Sequence, residues 1–438
     1  MSIDQANATS DVPPHVPPEL VRAYDHVAGP EIMEFPPAAA TKHQDVGRAF
    51  FSSCHGGFWV FTRYEDIRSA FQDHELFPQW GRGVPENPFS RVYIPLNLNP
   101  PEHHSYRKIL MGLLSPRRVR SLEDIVRQTA RERVAEIAPI GRCELVGEFA
   151  MAMPASMFCG LLGLPHDQFE SFHQMSWDLV YTPNKILVEQ GIEAAREYRR
   201  QANKRVEDFI WELVRRRKDE AGDDMISYLL GSEVDGRPLT DDEVFNMSTL
   251  MFFAGTDSTG SAIAYAFAYL AQHPEHRRRI VEDPSIIPQA ADELLRFHGF
   301  HHINRQVSRD AEFAGVQLRK GDLVLLPTGC ANRDPEAFPE PDTVDFDRKA
   351  KHHLTFGAGV HRCIGAPLAT LELKVALEEF HKVIPDYGLD PDGSIEYASG
   401  QNKTGPHTVP LVYPPAPGVP QLMCDLVHDC DCWCRSAR

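Results

Sequence analysis

The chain has 438 residues, of which 42% are hydrophobic, and a formal net charge of −17, so it can bury a large core and is a poor partner for nucleic acid. Its longest apolar runs, such as residues 262–271, are too short to span a membrane, and residues 1–19 lack the pattern of a signal peptide. We therefore expect a cytoplasmic protein with no membrane contact and no disulfide framework among its nine cysteines.

The chain shows no flexible linker, so we expect a single domain over residues 1–413. Prolines at positions 13, 14, 17 and 18 disfavour a helix and predict an extended arm over residues 1–30. Residues 414–438 are expected to form a disordered tail. The tail has cysteines at 424, 430, 432 and 434, but their spacing matches no common zinc site.

The first regular elements are predicted after the arm. Aromatic and β-branched residues at 57–62 predict a strand, and apolar residues at helical spacing predict a helix over 63–77. Prolines and glycines mark residues 78–99 as a long loop, with Tyr93 near its end. A small β region followed by helices is therefore expected near the N-terminus.

A second helix is predicted after Pro100 and Pro101, and it places His103 and Arg107 on one face at i, i+4 spacing. Such a basic pair is often simply solvated, but it also suits the binding of an anionic group, and both interpretations stay open. Residues 115–216 have a mostly helical pattern, with breaks near 139–141 and 163–165.

The longest predicted helix covers residues 244–273 and changes from apolar to polar in its middle. Ala254 and Gly255 are small enough for a flat ring to approach the backbone, and Asp257 and Ser258 place an acid beside a hydroxyl. This pair could deliver protons to a reacting oxygen. Alternatively, Ser258 could simply bond the carbonyl four residues earlier and bend the helix.

Cys363 lies in a glycine-rich turn directly before a predicted helix that starts at Ala366. Unpaired N–H groups at a helix N-terminus favour a thiolate, so Cys363 is a candidate anionic ligand. Glycines at 357, 359 and 365 allow close approach of the backbone to a flat cofactor. Haem iron is the cofactor that such a thiolate suits.

The order Phe356-x-x-Gly359-x-x-x-Cys363-x-Gly365 resembles the cysteine-ligand loop of the cytochrome P450 haem-thiolate monooxygenases. The resemblance extends over about residues 12–413 and implies a mainly α fold with small β regions and a long central helix over haem b. It implies that Cys363 is the iron ligand and that the haem contacts are His103, Arg107, Ala254, Gly255, Arg305, Phe356, His361 and Gly365. Of these, His103, Arg107, Arg305 and His361 correspond to the partners of the two haem propionates.

The resemblance also assigns roles around the reaction. Asp257 and Ser258 correspond to the acid and alcohol that manage protons, although the family has threonine where this chain has Ser258. Tyr93, Leu250, Phe253 and Ala254 correspond to substrate contacts, and the turn near Asn402 and Lys403 reaches the same pocket. Glu293, Arg296 and Arg348 correspond to a structural network that holds the cysteine loop.

The N-terminal lead-in and the residues 100–102 look closest to the bacterial camphor and terpenoid hydroxylases. The resemblance therefore implies hydroxylation of a small apolar substrate, a monoterpenoid or norisoprenoid, with O₂. Electrons are expected from a separate two-iron ferredoxin (2Fe-2S) and its NAD(P)H-dependent reductase. Three alternatives are a peroxygenase that uses H₂O₂, a non-catalytic haem-thiolate sensor, and a structural protein with no cofactor, which would leave the set of haem contacts unexplained.

Overall fold

A computed structural model describes residues 12–79, 83–84, 92–349, 352–399 and 402–416, so the expectations for the cysteines at 424–434 lie outside the described residues. Helices hold 54% of the residues and strands 12%, which confirms the mainly α fold. The α-helices are α1 Pro30–Glu34, α2 Tyr64–Gln72, α3 Glu102–Leu113, α4 Pro116–Ser121, α5 Glu123–Ile137, α6 Ala152–Leu161, α7 Phe169–Val180, α8 Thr182–Gln190, α9 Ile192–Asp219, α10 Met225–Leu230, α11 Asp241–Thr256, α12 Ser258–Gln272, α13 Pro274–Glu282, α14 Ile287–Phe297, α15 Thr328–Ala331 and α16 Ala366–Val383.

The strands form one five-stranded sheet, in the order β1-β2-β3-β10-β7, and smaller sheets of two or three strands. Their bounds are β1 Val21–Arg22, β2 Ala49–Ser52, β3 Phe58–Phe61, β4 Arg142–Glu144, β5 Glu233–Val234, β6 Arg237–Pro238, β7 His302–Gln306, β8 Ala311–Phe313, β9 Val316–Leu318, β10 Leu323–Pro327, β11 Gly388–Leu389, β12 Glu396–Ser399, β13 Thr404–Thr408 and β14 Pro410–Val412.

The predicted strand at 57–62 is confirmed as β3, which lies in the middle of the large sheet. All four of its residues are buried, as expected for an aromatic and β-branched strand covered on both faces. β10 pairs with β3 in parallel and with β7 antiparallel, with Val324 opposite both Trp59 and Arg305. This register fixes the position of Arg305 relative to the core.

The N-terminal stretch is not extended throughout, in contrast to the prediction. Pro18–Leu20 forms a 3₁₀ turn, and the strand β1 follows it at once and pairs with β2. Pro18 is compatible with this turn because the first helical position needs no N–H donor and favours the fixed φ of proline.

The central helix predicted over 244–273 is present but interrupted. α11 ends at Thr256 and α12 starts at Ser258, so Asp257 separates two helical segments. The hydroxyls of Thr256 and Ser258 bond the carbonyl oxygens of Phe252 and Ala254, four residues earlier. Such bonds compete with the backbone ladder and bend helices, which accounts for the break at the polar switch.

No helix in the described part of the chain combines the length and apolar character that crossing a membrane requires.

The buried imidazole of His298, at the end of α14, predicts a pH dependence of stability. Its ring stacks on Tyr265, and Nδ1 lies 3.0 Å from the carbonyl oxygen of Leu294. Burial, with repulsion from Arg333, lowers the pKa of His298 to about 3. The unfolded chain binds this proton near pH 6.5, so His298 contributes stability above that pH and loses it as the pH falls towards 3.

We expect the free energy of unfolding to fall less steeply with decreasing pH in His298→Phe than in the wild type. The slopes should differ by about 1.4 kcal/mol per pH unit between about pH 6 and pH 5, because one proton is no longer taken up on unfolding. Urea unfolding at both pH values measures the slopes. Equal slopes for the two proteins would show that His298 is protonated in the fold.

Candidate active site

The cysteine loop is shaped by two glycines with left-handed backbone conformation, Gly357 (φ 67°) and Gly359 (φ 68°). A Cβ atom at Gly359 would lie 2.4 Å from the carbonyl oxygen of Phe71, so only glycine lets the loop pack against the end of α2. The N–H of Cys363 donates to the carbonyl oxygen of Phe356 at 2.9 Å. These contacts hold Cys363 in place just before α16.

Cys363 is exposed as a residue, whereas its sulfur lies close to the surrounding protein and accepts hydrogen bonds from the N–H groups of Gly365 and Ala366 at the start of α16. We expected this helix N-terminus to favour a thiolate. Burial nevertheless raises the pKa of the Cys363 thiol above its ordinary value, although both N–H groups and the nearby Arg107 and Arg362 act in the opposite direction. A bound metal ion overcomes this effect, because a coordinating thiol is deprotonated.

The structure brings together the four basic residues predicted to bind an anionic group. The rings of His103 and His361 lie 4.3 Å apart, centroid to centroid. Burial, followed by repulsion from Arg305, His103 and Arg107, lowers the pKa of His361 to about 3. Burial and Arg107 likewise lower the pKa of His103 to about 4. Two histidines and two arginines therefore share one low-dielectric region beside the cysteine loop.

Among the described residues, no Asp or Glu forms an ion pair with any of these four side chains. The Nδ1 of His103 and the Nε2 of His361 are buried without a hydrogen-bond partner there. Arg305 is only 3% exposed and donates to the carbonyl oxygen of Asn304. Buried positive charge of this kind needs an anionic partner. A haem with two propionates beside the Cys363 sulfur fits this set of groups.

The face of the central helix around the break is open, although the helix runs through the core. Ala254 is exposed, Phe253, Asp257 and Ser258 are half-buried, and the flanking Phe252 and Thr259 are buried. Ala254, Asp257 and Ser258 are three and four residues apart and therefore share one helix face. Thr259 is 4% exposed and points away from that face, as expected from the helical period.

Packing gives Gly255 a reason for its small size in addition to the predicted approach of a cofactor. A Cβ atom there would lie 2.1 Å from the ring of Phe158 in α6. Packing between α6 and α11 therefore requires glycine at this position, and the open face belongs to Ala254.

The hydroxyl of Ser258 donates to the carbonyl oxygen of Ala254 at 2.9 Å. This is the structural alternative considered for Ser258, and it agrees with the bend in the helix. Its part in proton delivery remains a prediction.

Asp257 has a partner that the sequence did not assign. The Nζ of Lys403 lies 2.7 Å from Oδ1 of Asp257, and it also donates to the Oγ of Ser261 at 2.7 Å. Lys403 directly precedes β13. The resemblance implies that the turn near Asn402 and Lys403 reaches the pocket, but no local pattern connects Lys403 with Asp257.

Two of the predicted substrate contacts, Tyr93 and Phe253, lie against each other. The rings of Tyr93 and Phe253 lie 5.7 Å apart, and Leu250, one turn before Ala254, is 8% exposed. They form an apolar wall beside the open helix face.

The predicted network around Glu293 is present and buried. Arg296 makes two hydrogen bonds of 2.8 Å to the Glu293 carboxylate, and Arg348 donates to the same group at 3.0 Å. Arg296 also donates to the carbonyl oxygen of Asn332, whose side chain bonds the N–H of Leu354 and the hydroxyl of Thr355. The network thus reaches the cysteine loop through Asn332, which no sequence signal identified.

Cys330 is a second cysteine close to this network, but its surroundings differ. It is fully buried, and its sulfur lies 3.4 Å from the carbonyl oxygen of Thr62. Burial raises the pKa of its thiol to about 12. It belongs to the core packed around Tyr24 and Phe50, away from the four basic residues.

The family model described as cytochrome P450 matches residues 39–382. A probable cytochrome P450 127A1 from Sinorhizobium fredii is 33% identical, and the match covers 87% of this chain and 92% of that protein. The mycinamicin IV hydroxylase/epoxidase of Micromonospora griseorubida is also 33% identical, with 81% and 89% covered.

Solved structures agree with these relatives. The crystal structure of cytochrome P450 CYP101C1 superimposes with a TM-score of 0.84 at 31% identity, and the match covers 92% of this chain and 100% of that chain. CYP101J2 gives a TM-score of 0.81 at 29% identity, again with 92% and 100% covered.

Proposed function

Because the chain belongs to the cytochrome P450 family, we propose that it hydroxylates a small apolar substrate, a monoterpenoid or norisoprenoid, with electrons from a separate 2Fe-2S ferredoxin. The chain is a monooxygenase that uses haem b and O₂. When bound, the haem supplies the iron that activates O₂ for insertion into a C–H bond.

The observation that carries the proposal is the convergence of Cys363 with four basic side chains that have no acidic partner among the described residues. Cys363 would hold the iron, while His103, Arg107, Arg305 and His361 would bind the two propionates. The half-buried Phe356 and Gly365 flank the sulfur in the loop.

Asp257 and Ser258 would manage the protons that reduction of O₂ requires. They lie next to Ala254 on the open helix face, where a carboxylate and a hydroxyl can pass a proton while bulk water is excluded. Lys403 would hold the Asp257 carboxylate in position.

The substrate proposal is supported by the apolar wall of Tyr93, Leu250 and Phe253, which suits a compact hydrocarbon skeleton. The ferredoxin proposal is supported by Arg362, exposed beside Cys363, and by Arg107 next to it. Arg68 and Lys349 are further candidates, and position 351 lies outside the described residues. A basic surface on the cysteine side favours an acidic electron donor.

The proposal is tested by titrating the ferric holoprotein with terpenoids, ionones, fatty acids and aromatic acids while recording the Soret band. We expect a shift from low to high spin with terpenoids or ionones, and hydroxylated product when ferredoxin, its reductase and NAD(P)H are added. A shift with another class only would overturn the substrate. Product with H₂O₂ but not with the ferredoxin system would favour the peroxygenase, and no product under either condition would favour the sensor.

Asp257→Asn is expected to lower the rate of product formation about 100-fold, because it removes the proton-transferring carboxylate but keeps its shape. The spin shift with substrate should persist, since it requires only binding. Thr259→Val is the control, because Thr259 points away from the open face. A rate for Asp257→Asn equal to that of Thr259→Val would rule out proton transfer by Asp257.

A further inference from the structure

Polar groups concentrate on one side of the proposed substrate pocket. Asp257 lies three residues after Ala254 on the open face of the central helix, and the fully buried Ser261 lies one turn beyond it. Lys403 contacts both of them at 2.7 Å. Its side chain is 19% exposed and that of Asp257 is 21% exposed, so both charges are largely withdrawn from water.

His301 lies beside Lys403. The two residues form an isolated antiparallel β-bridge. Because side chains alternate along a strand, His301 shares its strand face with Ile303 and Arg305, the proposed propionate partner. Burial and the nearby Lys403 lower the pKa of His301 to about 3, so the imidazole is neutral at neutral pH. Its Nδ1 is buried without a hydrogen-bond partner among the described residues.

Lys403 has donor capacity that the protein does not use. An ammonium group carries three N–H donors. One is directed to Ser261, whereas the contact with Asp257 is close but lacks the alignment of a hydrogen bond, since Oδ1 of Asp257 has no hydrogen-bond partner. At least one N–H of Lys403 is therefore left for a ligand.

We infer that the substrate carries one uncharged acceptor oxygen on its apolar skeleton, and that this oxygen is bound by Lys403 with His301 beside it. This inference rests on the proposed function and specifies its substrate class. A ketone, or an enone of the ionone type, suits both the apolar and the polar side of the pocket. Its skeleton packs against Tyr93 and Phe253, and its carbonyl oxygen accepts a hydrogen bond from Lys403. A substrate with a free carboxylate does not suit this position, because Asp257 already neutralises the positive charge of Lys403.

The test uses p-menthane and menthone, which share a skeleton and differ by one carbonyl oxygen. Their dissociation constants are measured from the spin shift of the ferric holoprotein. We expect menthone to bind the wild type at least about tenfold more tightly than p-menthane does. In Lys403→Met, which keeps the length but removes the donors, the ratio of the two constants should fall close to one.

Two further variants make the result specific. Lys403→Gln keeps an N–H donor and should retain part of the preference for menthone. It also covers the case in which Lys403→Met fails to fold. Lys382→Met, which removes a lysine paired with Glu379 on the distant helix α16, should leave the ratio unchanged.

The failures can be told apart. If both ligands shift the spin state with the same ratio of constants in the wild type, Lys403→Gln and Lys403→Met, the inference is wrong and the proposed function stands. If no terpenoid or ionone shifts the wild type, the proposed substrate class fails together with the inference.

Discussion

Cys363→Ser is expected to abolish the absorption spectrum of a thiolate-ligated haem and, with it, all product formation that depends on O₂. A serine hydroxyl is a far weaker donor of electrons to iron than a thiolate, and the four basic side chains beside it would bind the propionates rather than the iron. Some haem can still be retained, because its propionates keep their partners. The spectra of the ferric and reduced carbon monoxide forms measure ligation independently of activity.

The matched control is Cys330→Ala. Cys330 is a cysteine near the Glu293 network, but unlike Cys363 it is fully buried and its sulfur packs in a separate core. We expect this variant to keep the thiolate spectrum at a modest cost in stability. The reverse pattern, with the spectrum lost in Cys330→Ala and kept in Cys363→Ser, would falsify the assignment of Cys363.

Arg296→Ala is expected to lower the free energy of unfolding by about 3–5 kcal/mol, because it leaves a buried carboxylate without its main partner. Arg296 is 2% exposed and Glu293 is 5% exposed, and among the described residues Arg348 and the N–H of Asp345 remain as partners of Glu293. The carbonyl oxygens of Asn332, Pro341 and Thr343 lose a donor as well. Urea unfolding measures the effect, and haem content reports whether the cysteine loop is still formed.

The chain offers a control with the same spacing. Glu197 and Arg200 also form an i, i+3 ion pair, but on the exposed surface of α9. We expect Arg200→Ala to leave stability unchanged, since exposed ion pairs contribute little. Similar losses in both variants would mean that the buried network is not special and that Arg296 does not support the cysteine loop.

Short sequence patterns predicted the parts of the site whose structure depends only on residues close together in the chain. The role of the glycines around Cys363 could be predicted from the sequence, because glycine is the residue that readily adopts the left-handed conformation found at 357 and 359. The i, i+4 spacing of His103 and Arg107 likewise depends on a single helix. The meeting of these residues with Arg305 and His361 followed from the family resemblance, and the structure reproduces it.

Features that depend on distant contacts were not predictable. The hydrophobic period of residues 244–273 predicts one continuous helix. It carries no information on the hydroxyls of Thr256 and Ser258, which bond the backbone on either side of Asp257 and interrupt the helix. The packing reason for the small size of Gly255 lies in Phe158 on another helix. The ion pair of Asp257 with Lys403 joins segments that no short-range pattern relates.

The guanidinium of Arg296 has a consequence for how the chain can evolve. Apart from Glu293, its hydrogen bonds go to main-chain carbonyl oxygens, which every amino acid supplies. The side chains at Pro341 and Thr343 can therefore drift without loss of these bonds, provided that the backbone keeps its path. Selection then acts on the backbone geometry of this segment more than on its amino-acid sequence. This agrees with the superposition on CYP101C1, which has a TM-score of 0.84 at only 31% sequence identity.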